Sequence, residues 1–231
     1  MKITPEGMAK MIDQTLLKAY VSDEDFKAFC EESAAYDFKM VAINSAPVKK
    51  CKEYLKGSAV HVGAAVSFPL GQTTIEMKVE ETKRAIEEGA DEIDYVVNIV
   101  ELKNRNLSYV EREMESIVSE CRKAGVTSKV IFENCYLTRE DKEILCRIAL
   151  KVKPDFIKTS TGFGTGGTTV EDVRLMKSLV GEEIKVKAAG GIRSLDSALA
   201  MIEAGAERIG TSAGVAIVEE LKKRKAEGTL I

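Results

Sequence analysis

A single-domain (β/α)8 TIM barrel occupying residues 1–231 is the fold class this sequence predicts, and three observations carry the prediction. A β-branched apolar run, a loop and a longer charged amphipathic segment recur from about Lys39 onward, the pattern of β/α units on a parallel sheet. No Ser/Pro-rich linker or shift in composition divides the chain. A length of 231 residues suits one such barrel. The same alternation leaves an open doubly wound sheet as the alternative.

The first strand is expected at 12–15, between Pro5 and the capping-box start Ser22-Asp23-Glu24-Asp25. Further strands are expected at 39–44, 60–67, 92–98, 129–133, 155–160, 184–190 and 207–210. Helices are expected at 23–35, 46–56, 73–88, 108–124, 138–152, 170–180, 195–204 and 213–225. Several of these stop at residues that end helices, namely Gly57, Gly89, Gly125, Pro154, Gly181 and Gly205.

Composition narrows the function. With 45% apolar and 31% charged residues the chain can build both a core and a solvated surface, which excludes disorder. Its 34 Lys plus Arg against 37 Asp plus Glu give a net charge of −3, against a nucleic-acid partner. Five cysteines, without a C-x-x-C pair, fit reduced cytosolic thiols better than a disulfide scaffold or a zinc site. The N-terminus has no apolar signal core, and the charge-free run 57–75, broken by Gly63, Pro69 and Gly71, reads as strand plus loop, not a membrane span. The expectations are a cytoplasmic protein without a zinc site or membrane association; self-association stays open.

Strand parity points to the chemistry. In a parallel barrel the side facing the helices is apolar, so polar residues of the opposite parity point inward. In 92–98 this turns Ile93, Tyr95 and Val97 outward and Glu92, Asp94 and Val96 inward. In 184–190 Lys185 and Lys187 point inward, and in 155–160 Lys158 does. A core salt bridge between a lysine and Asp94 or Asp13 is one explanation. Desolvating two ammonium groups is expensive, however, and apolar replacements commonly serve stability as well. The functional reading is the stronger for Lys158, Lys187 and Asp94. A neighbouring cation together with burial lowers a lysine's pKa, which suits imine formation, and a carboxylate can relay protons through water. The single histidine, His61, falls early in its strand and reads as a core or interface residue.

Glycines follow three late strands, in segments 161–167, 190–194 and 210–214. The last two occupy the loops with which barrels commonly bind phosphate; simple turn geometry is the alternative. Arg193 either adds charge there or covers its helix. Glu133, Asn134 and Asn44 end strands and either line the pocket or make turns.

Four segments, Ile12-Asp13-Gln14-Thr15-Leu16-Leu17-Lys18, Glu92-Ile93-Asp94-Tyr95-Val96-Val97-Asn98, Phe156-Ile157-Lys158-Thr159-Ser160-Thr161-Gly162-Phe163 and Val186-Lys187-Ala188-Ala189-Gly190-Gly191-Ile192-Arg193, resemble the deoxyribose-phosphate aldolases, a class I family. The similarity runs from about Met8 to Val218. It implies reversible cleavage of 2-deoxy-D-ribose 5-phosphate to acetaldehyde and D-glyceraldehyde 3-phosphate, with no cofactor. It also implies Lys158 as Schiff-base nucleophile, Lys187 as the lysine that tunes it, Asp94 as proton relay and Asp13 as support for Lys187. Gly190, Gly191, Gly210, Thr211 and Ser212 match phosphate-gripping positions, with Gly162 and Arg193 beside them. The sequence departs from the family at Gln14, where many members have His, at Ser45, where Pro is common, and at Phe163, which replaces a lysine carried by some members. The tail 228–231 also lacks the Tyr with which some members end. A phosphosugar isomerase without an imine and a non-catalytic phosphosugar-binding protein are the competing readings; neither requires two inward lysines.

Overall fold

The computed structural model describes residues 3–229. The tail residues Leu230 and Ile231 lie outside the described residues. Eight parallel strands close in sequential order: β1 (Ile12–Thr15), β2 (Met40–Asn44), β3 (His61–Val66), β4 (Glu92–Val96), β5 (Thr127–Ile131), β6 (Phe156–Lys158), β7 (Lys185–Ala189) and β8 (Arg208–Thr211). The barrel closes where β1 pairs with β8, Gln14 opposite Thr211. The open-sheet alternative is thereby excluded.

The helices are α1 (Pro5–Ala9), α2 (Asp23–Ala35), α3 (Val48–Tyr54), α4 (Ile75–Glu87), α5 (Ile99–Lys103), α6 (Leu107–Ala124), α7 (Arg139–Val152), α8 (Val170–Val180), α9 (Leu195–Glu203) and α10 (Gly214–Ala226). Ser22 and Thr138 cap α2 and α7 through capping boxes with Asp25 and Asp141. Two short helices escape the sequence pattern. α1 precedes the barrel and packs on α10, and α5 is started by Asn98, whose side chain accepts from the Glu101 amide. At five residues each, neither shows a full amphipathic period.

The barrel has two compartments. Outward side chains such as Val41, Val62, Ile93, Val130, Ile157, Val186 and Ile209 are fully buried against the helices in a continuous apolar core. Inward positions of the same parity class carry Asp13, Glu92, Asp94, Lys129, Lys158, Lys187 and Arg208, all buried. Lys185 shares that parity but sits at the N-terminal mouth and is exposed, away from the C-terminal cavity.

β6 is shorter than expected. Thr159 leaves the regular ladder, yet its amide donates to the Lys187 carbonyl and its hydroxyl donates to the Ala189 carbonyl while accepting from the Ala189 amide. These bonds replace the missing ladder and fix the backbone immediately after Lys158.

Candidate active site

The cavity at the C-terminal end of the barrel, about 570 Å³, has Lys158 in its lining, with Gly162, Gly190, Gly191, Arg193, Gly210, Thr211 and Ser212 around it. Barrel chemistry is built at this end, because the βα loops meet there. The surface groove along α3 is smaller, about 440 Å³, and holds no inward strand residue.

Beneath Lys158 lies a charged network. Lys158 and Lys187 both donate to one oxygen, Asp94 Oδ2, at 2.8 and 2.7 Å, so their nitrogens are no farther apart than those two bonds laid end to end. Lys129 takes the other oxygen, Asp94 Oδ1, at 2.6 Å. Asp13 Oδ2 lies 2.6 Å from Lys187 in an ionic contact off the hydrogen-bonding axis, and Asp13 Oδ1 accepts from Arg208 at 2.7 Å. Glu92 joins Lys129 (2.6 Å), Arg208 (3.1 Å) and His61 (2.7 Å).

Four cations therefore face three carboxylates inside the barrel. Lys129, Lys187 and Arg208 each touch two carboxylates, whereas Lys158 has only its share of Asp94. The surplus positive charge falls on Lys158, and the network balances when that lysine is neutral. Burial first, then the Lys187 and Lys129 ammonium groups, push the Lys158 pKa down to about 8 against the opposing pull of Asp94. Asp94 moves the other way: burial alone would raise it, but Lys129, Lys158 and Lys187 outweigh that and hold it well below the carboxylate range. Lys129 stays protonated, because Asp94, Glu92 and Asp13 override the cost of burying it.

The loop after Lys158 is clamped from below. Glu133, in the left-handed region at φ 58°, accepts from both the amide and the hydroxyl of Thr161. It is a buried tether of the cavity wall, and the open choice between pocket and turn resolves to that. Asn44 and Asn134 likewise serve structure, bonding the Leu17 carbonyl and Met176 Sδ.

The glycine loops have distinct reasons. Gly190, at φ 90°, takes a backbone conformation that strains any other residue, and a Cβ there would press on Ser160 Cβ at 3.2 Å and Gly167 Cα at 3.3 Å. Gly191, at φ 82°, would project a Cβ into open space, so the room beside it is free for a ligand. The N-cap of α10, Ala213, has no side-chain hydrogen bond to its helix, and Gln14 Oε1 accepts from the Gly214 amide in the first turn. Thr211 proves to be a brace: its hydroxyl donates to the Ile192 carbonyl at 2.6 Å and accepts from the Ala213 amide, tying the two glycine loops together. Its side chain is thus committed to the loops.

The family model for DeoC/LacD family aldolases matches residues 7–220. The chain belongs to this aldolase family. A deoxyribose-phosphate aldolase of Lactobacillus acidophilus is 56% identical over 224 residues, covering 97% of this chain and 94% of the relative. One from Thermococcus gammatolerans is 53% identical over 92% of this chain and 95% of its own. Among solved structures, the aldolase QR15 superposes with a TM-score of 0.90 at 40% identity, covering 95% of this chain and 98% of that one. A tetrameric deoxyribose phosphate aldolase from Aeropyrum pernix superposes at 0.88 and 32% identity, covering 95% and 92%.

In this aldolase the four inward residues singled out from sequence, Lys158, Lys187, Asp94 and Asp13, form one contiguous ionic cluster. Lys129 and Arg208 were not singled out. Parity would have found both, since Val130 and Ile209 face outward and their neighbours must face in. Among the described residues no group of three or more His, Cys, Asp or Glu is placed to hold a metal, and no helix is long and apolar enough to cross a membrane.

Proposed function

We propose that this chain catalyses the reversible aldol cleavage of 2-deoxy-D-ribose 5-phosphate to acetaldehyde and D-glyceraldehyde 3-phosphate through a Schiff base on Lys158. The observation that carries the reading is the under-paired lysine at the cavity floor, sharing one carboxylate oxygen with a second lysine. With a pKa of about 8, roughly a tenth of Lys158 is neutral at pH 7. That fraction can attack the substrate aldehyde carbon, giving a carbinolamine that loses water to an iminium. Breaking the C2–C3 bond then sends its electron pair into the iminium as an enamine, while the C3 hydroxyl gives up its proton. A water held by Asp94 is the relay assigned to that proton. Protonation at C2 and hydrolysis release acetaldehyde and free Lys158.

Lys187, paired with Asp13 and Asp94, lies beside the reacting nitrogen, and its charge disfavours protonation of Lys158. The substrate phosphate is assigned to Gly190, Gly191, Gly210 and Ser212, with Gly162 opposite and Arg193 at the rim. A cytoplasmic, self-associating enzyme is the setting we infer, on the free cysteines and the tetrameric relative.

Borohydride reduction in the presence of acetaldehyde tests the central step. Peptide mass mapping should find one ethyl group on Lys158. An ethyl group on Lys187, or none on either lysine, would overturn the assignment.

A further inference from the structure

Lys18 lines the same cavity as Lys158, the 190–193 loop and the 210–212 loop. Its position follows from barrel closure. β1 and β8 are neighbours, with Gln14 opposite Thr211, so the chain leaving β1 emerges beside the Thr211–Ser212 turn. The base of the loop is fixed: the Leu16 amide donates to the Ala42 carbonyl, Asn44 Nδ2 donates to the Leu17 carbonyl, and Leu17 is buried. Lys18 is the first exposed residue beyond this anchor, so a long cationic arm extends from a rigid mount at the cavity rim.

Among the described residues Lys18 makes no ion pair, and its ammonium rests over the Tyr20 ring, 5.8 Å from the centroid. That contact is compatible with a cation held near the rim and available to an anion. The cavity wall supplies few other charges: Arg193 is exposed on the 190–193 loop, Glu32 is the one carboxylate in the lining, and Lys158 must be neutral to react. Phe163 is 55% exposed and packs edge-to-face on Phe68, so the rim on the β6 side is apolar. A phosphate carrying roughly −1.5 to −2 charges is poorly matched by one arginine and backbone amides alone.

We propose that Lys18 is a specificity-determining residue, supplying a second cationic side chain to the substrate phosphate from the β1 side, opposite Arg193. The inference rests on the phosphosugar reading above. It goes beyond that reading by dividing recognition of the anion between the β1 loop and the β7 and β8 loops.

The experiment compares kcat/KM for 2-deoxyribose 5-phosphate and for unphosphorylated 2-deoxyribose in wild type, Lys18→Gln, Lys18→Arg and Arg193→Gln. In wild type, inhibition of the unphosphorylated reaction by inorganic phosphate is measured as well. The expected result is that Lys18→Gln lowers the preference for the phosphorylated substrate about tenfold, chiefly through KM. Lys18→Arg should restore most of it, and raising ionic strength should weaken the preference more in wild type than in Lys18→Gln. A preference unchanged in Lys18→Gln but reduced in Arg193→Gln would overturn the role of Lys18 while leaving the phosphate site standing. Equal losses on both substrates would also overturn it, because the lysine would then serve the loop. No preference and no phosphate inhibition in wild type would instead overturn the phosphosugar reading itself.

Discussion

Lys78 and Lys158 are both buried and paired with carboxylates, and only Lys158 faces the cavity. Lys78, on α4, is fully buried outside the barrel. Its ammonium donates to Glu113 Oε1 at 2.7 Å and to the Val96 carbonyl at 2.6 Å, while Glu113 Oε2 accepts from the Asn98 amide. One cation meets one anion there, both ends are bonded to backbone at the end of β4, and neither residue lines the catalytic cavity. Burial lowers the Lys78 pKa and raises that of Glu113, yet the pair works as a clasp that holds β4 to α4 and α6. Lys158 differs in two respects: it shares its carboxylate with two other lysines, and it opens onto the cavity. Burial and ion pairing are thus common to clasp and nucleophile. Surplus charge and access separate them.

The comparison is broken most forcefully at Lys158. Lys158→Met should lower cleavage by about 10⁴-fold or more, the scale on which a covalent nucleophile is missed. Its stability should nevertheless be unchanged or raised near pH 7, because three cations then face three carboxylates. The gain should fade as pH rises from about 8 towards roughly 10.4. In that window the unfolded wild-type chain still holds the lysine's proton and the folded chain does not, so wild-type stability climbs with pH. Urea unfolding of both proteins across this range checks the prediction. A large loss of stability in Lys158→Met would place Lys158 in the same structural category as Lys78.

Lys78→Met is the converse. It strands Glu113 without its cation and should cost about 3–5 kcal/mol of stability. The pH dependence of imine trapping in the molecules that remain folded should not move. Replacing both partners, Lys78→Met with Glu113→Leu, should recover much of the loss, since a well-packed apolar pair can substitute for a buried ion pair. A shift in the trapping profile would mean that the clasp acts on the site.

A smaller effect sharpens the role of the second lysine. At about 5 Å and an effective dielectric near 20, two ammonium groups repel by about 3 kcal/mol, or roughly two pKa units. Lys187→Leu removes that repulsion, so the acidic limb of single-turnover imine trapping should rise from near pH 8 by about one to two units. An unmoved limb would show that Lys187 does not tune Lys158.

The smallest effect belongs to the brace between the glycine loops. Thr211→Val removes a hydroxyl that donates to the Ile192 carbonyl and leaves that acceptor unpaired, a loss of about 1 kcal/mol or more. The KM for the phosphorylated substrate should rise by about fivefold with little change in kcat. A fall in kcat of the same size would place the hydroxyl nearer the reacting atoms than the loop geometry does.

Much of this architecture is legible without coordinates, because periodicity is a local property. Alternation in Glu92–Val96 and Lys185–Ala189 assigns Asp94 and Lys187 to the interior, and capping residues such as Ser22 and Thr138 mark where helices start. Charge pairing is not local. Lys158, Asp94 and Lys187 lie 64 and 93 residues apart along the chain, and the competition of two lysines for one oxygen exists only because β4, β6 and β7 face a common axis. The sequence alone therefore determined the order of the eight strands and of the eight longer helices, the inward parity of the ionisable residues and the glycine loops at the late strand ends. Tertiary structure alone decided that three cations acquire two carboxylates each while Lys158 acquires a share of one. It also decided that Thr211 braces the loops and that Lys78 is a clasp. The physical reason is that a side chain's direction follows from its own strand, whereas its pKa and its partners follow from every strand that closes the barrel around it.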